Sequence, residues 1–84
     1  MTRNYQGDIT RAKIMDFIDT YWRENGFSPT LRDIVNAGVG VTSTNTITYQ
    51  LSVLEANGDI MPRKPGLPRS IVPKWVMENI RKEP

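Results

Sequence analysis

The stretch TSTNTITYQLSVLEANG, Thr42 to Gly58, decides the fold. Ile47, Leu51 and Leu54 recur at i, i+4 and i+7, the spacing of one buried helical stripe. Gly58 supplies the stop. Thr42 or Ser43 supplies an oxygen for the first-turn N–H groups, which have no partner inside the helix. A helix is therefore predicted over 43–57. Its outward residues are Thr44, Asn45, Thr46, Thr48, Tyr49 and Ser52. Solvent faces are ordinarily built from Glu, Lys, Arg and Gln, which favour helix. No charge occurs here before Glu55. Solubility alone would explain polar residues, but not short, weakly helix-forming ones. The face is composed for contact.

Upstream, Ile14, Phe17, Ile18, Tyr21 and Trp22 fall at i, i+3, i+4, i+7 and i+8, again one apolar stripe. Asp8 or Thr10 can cap this first helix and Gly26 can end it. The aromatics could form a stacking platform, but their helical spacing favours core packing. Asp16 and Asp19 are expected on the solvent side. In FSPT, Pro29 pushes Ser28 out of helical geometry. Thr30 then caps a short second helix, with Asp33 placed for a capping box. Leu31, Ile34 and Val35 give its buried side, and Ala37-Gly38 close it. GVGV, residues 38–41, reads as a tight turn with two apolar plugs. Its G-x-G is not a dinucleotide fingerprint, because no strand precedes it.

Downstream, DIMPRKPGLPRSIVPKW holds two short extended runs, Ile60–Pro62 and Ser70–Pro73. The Pro/Gly-rich RKPGLPR between them reads as the tip of a hairpin. Its prolines confine the strands to a sheet edge or to strand ends. KWVMENIRKEP is read as a short final helix. Trp75, Val76 and Ile80 on one side of it either close the core or form a dimer seam.

The chain has 84 residues, 38% apolar and 24% charged, enough for one small globular domain. That domain is placed at 1–84, with its core at 9–73 and an extension at 74–84. Without cysteine or histidine, there is no disulfide scaffold, no thiolate nucleophile, and neither of the commonest general base and metal ligand. No paired buried carboxylates are visible, so no catalytic, metal or cofactor site is expected. No membrane span or signal peptide is expected either, and no small-molecule ligand; the expected location is the cytoplasm, at the nucleoid. Net charge is only +2. Residues 1–42 balance five bases with five acids, whereas 60–74 carry Arg63, Lys64, Arg69 and Lys74 with no acid. Such a patch suits phosphate, or is simply a solvated basic loop.

The predicted order is helix, short helix, tight turn, longer helix, basic hairpin. The expected fold class is mainly α with a small β-hairpin: a winged helix-turn-helix of three core helices and a two-stranded wing. In such units the second helix of the pair enters the DNA major groove, with its N-terminal residues at base edges. Short hydroxyls and an amide suit that position. Ser and Thr donate or accept, Thr methyls meet the thymine methyl, and Asn bonds bidentately to adenine.

The segment IMDFIDTYWRENGFSPTLRDIVNAGVGVTSTNTITYQLSVLEANGDI, Ile14 to Ile60, resembles the N-terminal DNA-binding domain of LexA-type repressors. The resemblance rests on the NGFSPT turn, Ile34, the S-x-N at Ser43–Asn45, the L-x-x-L at Leu51–Leu54 and the Gly58 stop. It implies a transcriptional repressor whose Ser43, Asn45, Thr46, Thr48 and Tyr49 read bases. Arg63, Lys64, Arg69, Thr30, Thr42 and Thr44 would then meet phosphate, with Arg11, Lys13 or Arg32 assisting. Thr48 and Tyr49 replace the family's acidic pair, so a different operator is expected. Nothing here matches the family's Ser/Lys self-cleaving domain. The expectation is a standalone domain of phage or mobile-element origin, or a fragment. Double-stranded DNA is the expected partner, with a homodimer or paired half-sites. The alternative is a winged-helix protein-interaction module that does not bind DNA, because Ser43 to Asn57 contains no Lys or Arg.

Overall fold

A computed structural model describes residues 5–40, 43–64 and 69–82. Its helices are α1 (Tyr5–Asn25), α2 (Leu31–Asn36), α3 (Thr44–Asn57) and α4 (Lys74–Lys82). The first three pack against one another. Their shared core contains Ile14 and Ile18 from α1, Ile34 from α2, and Ile47, Leu51 and Leu54 from α3. Val39, Ile60 and Ile71 complete it from the connecting segments. Each fully buried aliphatic contributes roughly 1.5–3 kcal/mol relative to exposure. Ile47 and Leu51 lie directly beneath the outward face of α3, and truncating either to alanine should cost about 2–5 kcal/mol. The aromatic stripe of α1 is a packing feature. Phe17 and Trp22 pack against the core, while Tyr21 stands 5.6 Å from Phe17 and 5.8 Å from Phe27, ring centre to ring centre.

The helix ends follow the sequence except at the start of α1 and at the side-chain cap of α3. α1 begins at Tyr5 rather than at an Asp8 or Thr10 cap. Asp8 therefore sits in the first turn, where its charge favours the helix dipole, and it pairs with Arg11 at 2.6 Å. Gly26 ends α1 at φ 78°, with its N–H on the Trp22 carbonyl at 2.9 Å. α2 opens on a complete capping box. The Asp33 N–H donates to Thr30 Oγ1 at 3.1 Å, and the Thr30 N–H donates to Asp33 Oδ2 at 2.9 Å. α3 ends in a left-handed turn at Gly58, φ 81°. Gly58 N–H bonds to the Glu55 carbonyl and Asp59 N–H to that of Leu54, at 3.0 and 2.9 Å. That pair of bonds is a Schellman closure. A side chain with a Cβ is strained at such a φ, which is why glycine stands there.

The wing departs from expectation. Among the described residues its two arms share one antiparallel bridge, Ile60 to Pro73, rather than two strands. The flanking bonds run from Met61 N–H to the Val72 carbonyl at 2.8 Å and from Lys74 N–H to the Asp59 carbonyl at 3.1 Å. Pro62 and Pro73 have no N–H to extend the ladder. The other edge of the returning arm is satisfied by side chains. Ile71 N–H donates to Ser28 Oγ at 2.9 Å, and Trp22 Nε1 donates to the Ile71 carbonyl at 2.8 Å. The expected tip at 65–68 lies outside the described residues.

α4 confirms a helical tail. Val76 is buried, and the Trp75 indole N–H donates to Asp19 Oδ1 at 2.8 Å. Arg23 lies over the Trp75 ring, 5.5 Å from its centre. Asp19 is thus docked to the tail, a correction to its expected solvent position, whereas Asp16 is exposed. Trp75 and Val76 pack onto the body of this chain. The side chain of Ile80 lies outside the described residues.

Candidate nucleic-acid interface

The buried face of α3 fixes what it displays. Ile47, Gln50, Leu51 and Leu54 point inward. Ser43, Thr44, Asn45, Thr46, Thr48 and Tyr49 are all exposed, with Tyr49 at 64%. Ser43 is the N-cap in extended geometry, φ −97° and ψ 127°, yet its side chain makes no cap hydrogen bond. Thr42, the other expected cap and a phosphate candidate, lies outside the described residues. Among the described residues, Thr44, Asn45, Thr46, Thr48 and Tyr49 make no side-chain hydrogen bond. Ser52 differs: its hydroxyl donates back to the Thr48 carbonyl at 3.1 Å and accepts from Arg63 at 3.3 Å. The front two turns of α3 therefore carry hydroxyls, an amide and a phenol held on a rigid rod and unengaged by the body.

The basic side chains are distributed differently from the sequence expectation. Arg63 folds back on α3. Its Nε meets Glu55 Oε2 at 2.9 Å, and its backbone N–H meets the same oxygen at 2.7 Å. Those two donations, the side-chain one foremost, hold the Glu55 carboxyl below its ordinary range. Arg69 donates to the Ser28 carbonyl at 2.7 Å and lies 3.8 Å from Asp33. It also sits over the Phe27 ring, 5.0 Å from its centre. The Thr30 backbone N–H is the main cause of the lowered Asp33 pKa; the Thr30 hydroxyl and Arg69 add to it against the cost of burial. Thr30, a phosphate candidate, uses its hydroxyl in the capping box. Arg11 bonds to Asp8 and Gln50. Lys13, Arg32 and Lys64 are exposed.

Two buried polar residues were not singled out by sequence reasoning. Ser28 anchors the returning arm, and Gln50 joins α3 to α1. A polar residue inside an apolar stripe was the available signal for Gln50, at i+3 from Ile47. Ser28, in a loop, offered none. Among the described residues no three His, Cys, Asp or Glu side chains are grouped to hold a metal ion. No described helix is long and apolar enough to cross a membrane.

Comparison with known proteins identifies relatives of the sequence. The family model described as "LexA DNA binding domain" matches residues 9–70. A LexA repressor of Carboxydothermus hydrogenoformans is 42% identical over 59 residues, covering 70% of this chain and 28% of the relative. LexA repressor 2 of Nocardia farcinica is 34% identical over 73 residues, covering 87% of this chain and 29% of the relative. The chain thus spans less than a third of the length of these relatives. No solved structure matches it.

Proposed function

Because the chain belongs to the LexA DNA-binding domain family, we propose that it binds double-stranded DNA sequence-specifically and regulates transcription, as a repressor. The front of α3 enters the major groove. Ser43, Asn45, Thr46, Thr48 and Tyr49 face base edges, and Thr44 faces phosphate. The observation that carries this reading is the exposed, uncharged and internally unbonded face of α3, set on a helix whose other side is anchored in the core. Groove recognition needs rigid placement and unengaged hydrogen-bonding groups, and both are present there. Lys64 is an exposed base of the wing, suited to phosphate, with Lys13 and Arg32 as further candidates. One helix reads only a few base pairs, so two copies on paired half-sites are the expected arrangement.

The test is fluorescence anisotropy of a labelled random-sequence duplex at low and moderate salt, followed by selection of a preferred sequence. Binding that weakens with salt, and enrichment of one sequence, are the expected results. Absence of binding at low salt would sink the reading. It would leave the protein-interaction module, which one observation favours: Arg63 and Arg69 are both engaged within the fold.

A further inference from the structure

Gln50 is a neutral amide only 4% exposed on the inner side of α3. Its Oε1 accepts from Arg11 Nη1 at 2.9 Å, and its Nε2 donates to the Gly7 carbonyl at 3.3 Å. Arg11 is itself held by Asp8 at 2.6 Å. The group therefore ties the middle of α3 to the first turns of α1. A guanidinium can only donate and a carbonyl can only accept. The amide thus has one orientation that satisfies both, and neither Glu nor Leu could replace it fully.

We propose that Gln50 is a positioning residue for sequence discrimination: with Arg11 it fixes the rotation of α3 about its own axis. This rests on the DNA-reading role given above. Apolar contacts at Ile47 and Leu51 hold the helix in the core but are not directional. The amide bonds are directional, and they act one residue from Tyr49 and one turn from Thr46. Base hydrogen bonds weaken steeply with misalignment. A small rotation of α3 therefore lowers discrimination before it lowers phosphate attraction. Arg11 is recruited into this node rather than onto phosphate.

The experiment compares affinity for a duplex selected by the unaltered chain with affinity for its scrambled counterpart. The variants are Gln50→Leu and Arg11→Lys, the second keeping its charge while losing the forked geometry. Each should lower the ratio of the two affinities by about tenfold, a change on the scale of one good base contact, while affinity for the scrambled duplex stays unchanged. The double variant should lose no more than either single, because both break one unit. Should Gln50→Leu not fold, Arg11→Lys carries the same test. A ratio within about twofold of the unaltered chain in the folded variants, well inside one base contact, overturns the proposal, as does equal loss on both duplexes. Failure of the unaltered chain to select any sequence would remove the DNA reading and the proposal with it.

Discussion

The front of α3 and the base of the wing are both polar, and they direct that polarity oppositely. On α3, Thr44 to Tyr49 display hydrogen-bonding groups outward with no described partner in the fold. At the wing base, Arg63 and Arg69 turn inward onto Glu55, Ser28 and Asp33. Charge in the sequence pointed to the wing as a contact surface. The geometry gives the wing base a second job, fixing its two arms to the body, and leaves the uncharged helix front as the surface proposed above for recognition. A charged residue beside a loop is not a free charge until its partners are known.

Asn45 offers the sharpest way to break this contrast. Asn45→Ala should reduce discrimination for the preferred duplex by about 1–3 kcal/mol, the range of one bidentate base contact, with scrambled-duplex affinity unchanged. Paired titrations of the two duplexes measure it. Equal losses would show that the α3 front does not read sequence.

The two helix starts come next. Thr30→Ala removes a reciprocal cap and should cost about 1 kcal/mol in urea unfolding. Ser43→Ala removes no side-chain cap bond, and should cost no more than a few tenths of a kcal/mol. It should still weaken the preferred duplex. Similar stability losses for both would mean that Ser43 caps α3 in solution.

A smaller effect separates the wing bases. Lys64→Ala should reduce the magnitude of the log–log salt slope by about 1. Arg63→Ala should leave that slope unchanged, since Glu55 already neutralises its charge. A reduced slope for Arg63→Ala would return that arginine to the phosphate surface.

The smallest effect is acid-dependent. Glu55 is held below its ordinary value of 4.5 by Arg63. Its contribution is therefore complete above that value and fades as pH falls through the lowered folded pKa. The stability difference between the unaltered chain and Glu55→Gln should be constant near neutrality and shrink as pH falls below the ordinary value of 4.5. A difference that persists undiminished in acid would rule out the ion pair as its source.

Helix patterning was legible in the sequence because apolar spacing and most end signals agree, the start of α1 and the side-chain cap of α3 excepted. The stripe of α1, the Thr30–Asp33 box, the inward set of α3 and the Gly58 stop all followed from local rules. The outward set Thr44 to Tyr49 followed too, since it is the complement of the buried stripe. What local rules do not carry is partner choice between distant residues. Gln50 meets Gly7 and Arg11, Trp22 meets Ile71, and Trp75 meets Asp19, at separations of 39 to 56 positions. Likewise, the prolines of the wing confined its arms to a sheet edge or strand ends, but did not foretell that one bridge would remain or that Ser28 and Trp22 would satisfy the other edge.

The chain contains two tryptophans, and each indole N–H is bonded to a different appended segment. Trp22 grips the returning arm of the wing, and Trp75 carries the tail onto α1. Intrinsic emission therefore has two local origins. With one indole replaced by phenylalanine, the remaining signal reports release of the arm or of the tail alone. The order in which this small domain comes apart is readable without attaching a label.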